Sequence, residues 1–460
     1  MSTVKGGNPP FQLADPTLFH QESYVHGQWV PATSSKRFDV LDPGTGKVWA
    51  TCPDNGPQDV DAAITSSHKA FQEYSVLNPR KRAQLLLTWH NLISKARDDL
   101  AKLLTYETGK PLSEANAEIE YSLGFTWWFA GEAERIQGSI SIPSAPNRRV
   151  LVIKQPIGVS VALVPWNFPV AMILRKAGAA LAAGCTMVVK PSPETPLTCL
   201  ALADLATRAG FPDGVFNVLT TSLENTPSLS EAMFFDDADL EQALDQLMTL
   251  KWRNAGQACI SANRVYVQAG VYDKFATMFV EKTSKLNIGH GAAPDTTFGA
   301  VTTPIGLEKA ESQVQDAVSR GAKLALGSGK PFTPAGQGSR GYFMKPVVLT
   351  NMNSSMKMSC EETFGPVCGL FRFDTEDEVI KLANDTSMGL ASYAFTKNAN
   401  RLWRMFEKLE AGMIGLNTGN GSAAESPFGG IKESGYGKES GKDVAVAECL
   451  IEKTGTWTIN

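Results

Sequence analysis

Histidine is scarce, with five in 460 residues, and the seven cysteines (Cys52, Cys185, Cys199, Cys259, Cys360, Cys368 and Cys449) include no C-x-x-C pair. That spacing argues against a metal site and fits a reducing compartment. Positive charge is not in excess either. Lys and Arg number 43 against 47 Asp and Glu, a formal net charge of −4, which offers no basic face for nucleic acid. No stretch reaches the ~18 consecutive apolar residues of a membrane span. Met1 to Trp29 carries neither the apolar run of a signal peptide nor an Arg-rich amphipathic stretch, so a soluble cytoplasmic protein is expected. Thr45-Gly46-Lys47 superficially suggests a phosphate loop, but no glycine lies five residues before Gly46 and Val48 replaces the required Ser or Thr. Internal repeats, low-complexity segments and long charge runs are absent.

What is present is a large apolar fraction, 43%, in a chain longer than one ordinary core, which predicts two domains. The first 30 residues are Pro-rich and irregular, and Asp42-Pro43-Gly44-Thr45-Gly46-Lys47 reads as a hairpin turn. Residues from about Val60 to Ile136 keep helical periodicity, broken at Thr108-Gly109-Lys110-Pro111. From Gly158 the pattern alternates: strand Val159 to Val164, helix Ala171 to Ala183, strand Thr186 to Lys190, helix Leu197 to Ala209, strand Val215 to Leu219. Alternation of that length predicts a parallel, doubly wound sheet. A second α/β domain is expected from Asp236, with strands near Val265, Leu324 and Val347 and a helix over Glu308 to Arg320.

Chemistry concentrates at Arg253-Asn254-Ala255-Gly256-Gln257-Ala258-Cys259-Ile260-Ser261, where a small, flexible approach follows an amphipathic helix and ends on one thiol. An isolated cysteine is usually a buried structural one. Its company points the other way. Val164-Pro165-Trp166-Asn167-Phe168-Pro169 ends an apolar strand in a Pro-bracketed turn that presents an Asn amide; beside the backbone N–H of a nucleophile, that amide would complete an oxyanion hole. Downstream stand Glu361-Glu362-Thr363-Phe364-Gly365-Pro366-Val367 and Pro427-Phe428-Gly429-Gly430-Ile431-Lys432-Glu433-Ser434-Gly435.

In this order and at these separations, the motifs resemble the aldehyde dehydrogenase superfamily over nearly the whole chain, and most resemble its succinate-semialdehyde dehydrogenases. The run Trp166 to Pro196 and the placement of Arg253 directly before Asn254 carry that closer likeness. The resemblance implies two doubly wound α/β domains plus an oligomerisation arm, with residues 1–136 and 157–235 binding the cofactor. It gives 236–425 to the catalytic thiol, and 137–156 with 445–460 to the arm of a homodimer or homotetramer. It implies oxidation of a small-molecule aldehyde with NAD or NADP. Cys259 would be the nucleophile and Asn167 its oxyanion partner, with Trp166, Lys190, Glu362 and Phe364 on the cofactor. Arg175, Arg253 and Ser422 would hold the distal carboxylate of a semialdehyde, a task suited to the donor fork of arginine. Pro193 falls where NAD-preferring members often carry a ribose-binding Glu, so NADP should be tolerated. Ser261 stands where some relatives have a second cysteine, which removes that redox pair.

One unit expected of the resemblance is missing. In the family, a strand, a Thr-Gly-Ser turn opening a helix, and a strand ending in Glu-Leu-Gly-Gly follow the counterpart of Gly214 to Leu219. Here Ser228 to Phe235 runs straight into Asp236-Asp237-Ala238-Asp239, and neither run occurs elsewhere. The first domain should therefore lack a strand-helix-strand unit, comparable to a βαβ element of roughly 30 or more residues. With it go the general base and the helix N-terminus on which the cofactor pyrophosphate rests. Glu439, with Lys176, is a weak surrogate for the base. The reading is an enzyme of impaired activity and weakened cofactor binding; the alternative is a non-catalytic binding or assembly subunit.

Overall fold

The helical stretch after Val60 divides into four helices, each bounded by a residue the backbone requires. Helices α1 (Pro57–Tyr74) and α2 (Pro79–Lys95) begin at prolines, whose missing N–H costs nothing in a first turn. Asn78 caps α2 by accepting from Arg80 N at 2.9 Å. Helix α3 (Arg97–Thr108) stops at Gly109, left-handed at φ 82°, and α4 (Leu112–Ala133) follows Pro111. Helix α1 packs directly on the first sheet, where Ala63 meets Val188 and Leu219, whereas α2, α3 and α4 pack together, α4 against α2 and against α5 (Pro169–Ala183).

In this computed structural model, which describes residues 9–222, 230–334 and 341–459, three parallel strands make the first sheet. Phe216–Val218, Thr186–Pro191 and Val159–Val164 are interleaved with α5 and α6 (Pro196–Arg208). Beyond Phe216–Val218 the sheet continues into two short N-terminal strands, Ser23–Val25 and Gln28–Val30. On the other side it ends at Val159–Val164. Ala162 and Val164 of that strand are buried, whereas Val161 and Leu163, on the opposite face, are 60% and 69% exposed. A bare apolar face on a terminal parallel strand is unusual, because such sheets are normally covered on both faces.

The second unit is a seven-stranded sheet in the order Lys323–Leu326, Val347–Met352, Val367–Phe373, Arg264–Gln268, Ser230–Phe234, Ala391–Phe395, Met413–Leu416. Only the first of these runs antiparallel to its neighbour. Its middle corrects the expected domain boundary. Ser230–Phe234 was assigned with the first domain, yet it pairs with Arg264–Gln268 and Ala391–Phe395 in the second. Ala232 and Phe234 enter one core and Met233 and Phe235 the other, so this run is buried on both sheet faces, as a central strand must be.

The strands Arg148–Pro156 and Leu450–Thr458 pair antiparallel along their whole length, Pro156 opposite Leu450 and Arg148 opposite Thr458, with Ser139–Ser141 added outside. These strands fall within the segments assigned to the arm, the C-terminal one starting at Leu450. Residues 445–449 do not belong to it: Ala445 and Val446 lie in the first core, on the short helix Val444–Ala447 beside α5. Among the described residues, no helix is long and apolar enough to cross a membrane.

Candidate active site

The turn after Val159–Val164 is held by a buried ion pair that the sequence did not single out. Glu118 on α4 accepts from Val170 N at 3.0 Å, capping α5, and from Lys110 Nζ at 2.5 Å. Lys110 also donates to the Asn167 carbonyl at 2.9 Å, and Asn254 Nδ2 donates to the same oxygen at 3.0 Å. Asn167 is thus buried and gripped from two elements, one of them the loop that leads to Cys259.

That loop leaves α7 (Leu240–Trp252) through three consecutive left-handed residues, Asn254, Ala255 and Gly256, at φ 52°, 53° and 78°. Such a run is costly for Asn and Ala and persists only when over-determined. Glu114 accepts from Asn254 N at 2.7 Å, Asn254 Nδ2 donates to the Gln257 carbonyl at 3.1 Å, and Gln257 Nε2 returns to the Asn254 carbonyl at 2.9 Å. At Gly256 a Cβ would stand 2.1 Å from the Gly365 carbonyl, so only glycine fits. Burial pushes the Cys259 thiol above its ordinary value; Arg175 and Arg253 pull it down, and Glu362 and Glu439 push it up.

Cys259 shares one pocket with Arg175, Arg253, Ser422, Tyr121, Phe168 and Phe428. Arg175 is 1% exposed and lies over the Phe428 ring at 3.8 Å, with its Nη2 donating to Tyr121 OH at 2.9 Å. Tyr121 OH and Ser422 Oγ are 2.5 Å apart. Arg175 Nε and Arg253 Nε are buried without a hydrogen-bond partner, and Arg253 lies over the Phe168 ring at 4.9 Å. Two guanidinium groups therefore converge on a pocket whose other end is a thiol. Tyr121 was missed in the sequence, although Glu118, Tyr121 and Phe125 lie on one helical face and all three serve this region.

Glu439 pairs with Lys176 Nζ at 2.8 Å and with Arg175 Nη1, a pocket residue, at 3.7 Å. Burial raises its carboxyl, but the Lys176 and Arg175 charges more than offset this and hold it below the usual range. On the cofactor side, Trp166 and Phe364 meet edge to face at 5.3 Å. The Glu362 carbonyl accepts from Gln313 Nε2 at 3.2 Å. Lys190 closes its strand half-buried, its pKa lowered by burial and partly restored by Glu194. These groups suit a ribose and a nicotinamide ring. Among the described residues, no strand of the first sheet lies beyond Val159–Val164. Among the described residues no cluster of three or more His, Cys, Asp or Glu could hold a metal ion.

The sequence profile of the Aldehyde dehydrogenase family matches residues 29–229 and 223–454. This chain belongs to that family. The succinate-semialdehyde dehydrogenase [NADP(+)] of Saccharomyces cerevisiae is 42% identical to it over 487 positions, covering 96% of each chain. Glutarate-semialdehyde dehydrogenase of Pseudomonas aeruginosa is 42% identical, covering 94% of this aldehyde dehydrogenase and 96% of its own length. The crystal structure of an E. coli NADP dependent enzyme superposes with a TM-score of 0.93 at 40% identity, over 97% of this chain and 100% of its own. The yeast alignment is longer than the 460 residues of the chain itself, so that relative carries residues that face a gap here.

Proposed function

We propose that this aldehyde dehydrogenase acts on an ω-carboxylated aldehyde, succinate or glutarate semialdehyde, and that it does so slowly. One observation carries the substrate class: Arg175, Arg253, Tyr121 and Ser422 share a pocket with Cys259. A carboxylate there would accept from two guanidinium forks and a hydroxyl, filling donors that are now orphaned. The Cys259 sulfur then adds to the aldehyde carbon, and the oxyanion that forms is held by the Asn167 amide and the Cys259 N–H. Bound NAD or NADP supplies the hydride acceptor; Trp166, Phe364, Lys190 and Glu362 would hold it, with NADP tolerated because Pro193 stands in place of a ribose-binding carboxylate. Water releases the acid from the resulting thioester.

Slowness follows from what surrounds the thiol. Its pKa is raised, and the nearby carboxylate Glu439 is tied to two cations, which makes Glu439 a weak base for its proton. Together with the absent Glu-Leu-Gly-Gly run, this supports loss of the general base, worth ~10²–10⁴-fold. The test compares succinate semialdehyde with butanal at equal concentration while NAD(P)H is followed. The expected result is a preference for the semialdehyde with turnover at least ~10²-fold below the ordinary ~10 s⁻¹. Equal use of butanal would remove the carboxylate site, and turnover near ~10 s⁻¹ would remove the impairment. The bare edge of the first sheet favours the second reading, a subunit that binds without turning over. Semialdehyde binding with no NAD(P)H formed would support it. We further propose that the arm joins subunits into a dimer or tetramer, its exposed Ile153, Ile451 and Trp457 being the contact, which light scattering of the eluted protein would measure.

A further inference from the structure

Two thiols that the proposed reaction does not use meet where the arm leaves the first domain. Helix α5 ends at Gly184, left-handed at φ 97°, and the next residue, Cys185, is fully buried at the start of Thr186–Pro191. Cys449 is partly exposed and directly precedes the arm strand Leu450–Thr458. Cys185 Sγ donates to the Cys449 carbonyl at 3.4 Å, which brings the two cysteines side by side. The same carbonyl accepts from Ile157 N at 3.1 Å, one residue after the other arm strand ends. Both roots of the arm and the elbow between α5 and its following strand therefore converge on this pair. The two residues are 264 positions apart in sequence, so a bond between them would close a very long loop.

We infer that Cys185 and Cys449 form a dithiol oxidation site, which a hydroperoxide closes to a disulfide that fastens the root of the arm to the first domain. The two thiols lie together at this junction, Cys185 buried and Cys449 part-exposed, so a peroxide that reaches Cys449 has both sulfurs at hand. Burial, with the Glu107 charge adding to it, pushes Cys52 and Cys199 well up, which leaves them protonated and inert. One thiol of the pair, as its thiolate, attacks one oxygen of the hydroperoxide; the O–O bond breaks, and the leaving oxygen takes a proton and departs as water or alcohol. That sulfur is then a sulfenic acid. The other sulfur of the pair attacks it, the S–O bond breaks, and the departing hydroxide takes the second thiol's proton as water. Two electrons pass from the sulfurs to the peroxide, and entry is from the part-exposed Cys449 side.

The experiment treats the folded protein with a few equivalents of hydrogen peroxide, blocks remaining thiols with iodoacetamide under denaturing conditions, and maps the digest by mass spectrometry. The expected dominant disulfide links the Cys185 and Cys449 peptides and disappears on reduction with dithiothreitol, while Cys52 and Cys199 are recovered alkylated. The oxidised wild type should unfold several degrees above the reduced form, and Cys449→Ser should show no such oxidation-dependent rise. Recovery of both Cys185 and Cys449 as alkylated thiols would overturn the proposal. So would equal unfolding temperatures before and after oxidation in a protein whose linked peptide is present, since the bond would then not fasten the arm. Because the mapping is done on the wild type, the result stands even where Cys449→Ser does not fold.

Discussion

Cys259 sits between two arginines that favour its thiolate and two glutamates that oppose it, and burial decides the balance in favour of the thiol. Alkylation of the native protein should reflect this. Below its pKa, thiolate fraction grows tenfold per pH unit, so labelling of Cys259 should climb about tenfold per unit from pH 7 to 9 without levelling. A plateau near pH 7 in a peptide-mapped time course would reveal a low-pKa nucleophile and count against a thiol held protonated by burial. At pH 8 Cys259 should nonetheless label faster than Cys199, whose side chain is fully buried. The second residue-scale expectation concerns Lys110, 1% exposed and bonded to Glu118 and to the Asn167 carbonyl. Lys110→Met would leave a buried carboxylate without its cation, a loss of about 3–5 kcal/mol. Urea unfolding monitored by fluorescence would measure it, and a change below about 1 kcal/mol would mean that the pair is not a structural anchor of the Asn167 turn.

Helix α6 shows how one buried acid can set an element's pH response. Its first-turn amides Leu197 N and Thr198 N, and the Thr198 hydroxyl, all donate to Glu107 on α3. Burial raises the Glu107 carboxyl to about 8, against the lowering effect of those donors. The sign follows from proton counting. Between the unfolded value near ~4.3 and about 8 the folded state holds a proton that the unfolded state has lost, so this residue's contribution declines as pH rises through that window. Glu107→Gln, which cannot titrate, should flatten the fall in unfolding midpoint between pH 5.5 and 7.5; parallel curves for the two proteins would count against a protonated cap. Elements of this kind were legible in the sequence to a varying degree. The break at Gly109 and Pro111 announces itself because both residues act through their own backbone, whereas the start of α2 at Pro79 went unread inside the stretch from Val60. The left-handed run Asn254-Ala255 announces nothing, since it is enforced by Glu114, Gln257 and Gly365 from elsewhere. Ser230–Phe234 was placed in the wrong domain for a similar reason: a run buried on both faces looks alike in either parallel sheet, and only its partners decide.

At the scale of the whole molecule, the candidate pocket was largely legible because the motifs around Cys259, Asn167 and Arg175 are local, whereas Tyr121 and the Lys110–Glu118 pair were not, because they act across helix packing. The bare strand Val159–Val164 is where the expected and observed architectures bear on each other most. Its buried face, Ala162 and Val164, rests on the core, and its outer face presents Val161 and Leu163 to solvent at the open end of a parallel sheet. An apolar edge with unpaired backbone groups is a template for another chain, and a lysine on such an edge is the usual protection. Leu163→Lys removes little from the core, since the side chain is already 69% exposed, so the unfolding midpoint should move by no more than about 0.5 kcal/mol in equivalent stability. Aggregation during heating below that midpoint, followed by light scattering, should fall clearly in the variant. A control substitution at Ile305, 72% exposed on a different element, should leave the scattering as it was. If Leu163→Lys destabilises the protein as a core change would, or if both variants aggregate like the wild type, then the edge is covered in solution and the first sheet has found a partner for Val159–Val164.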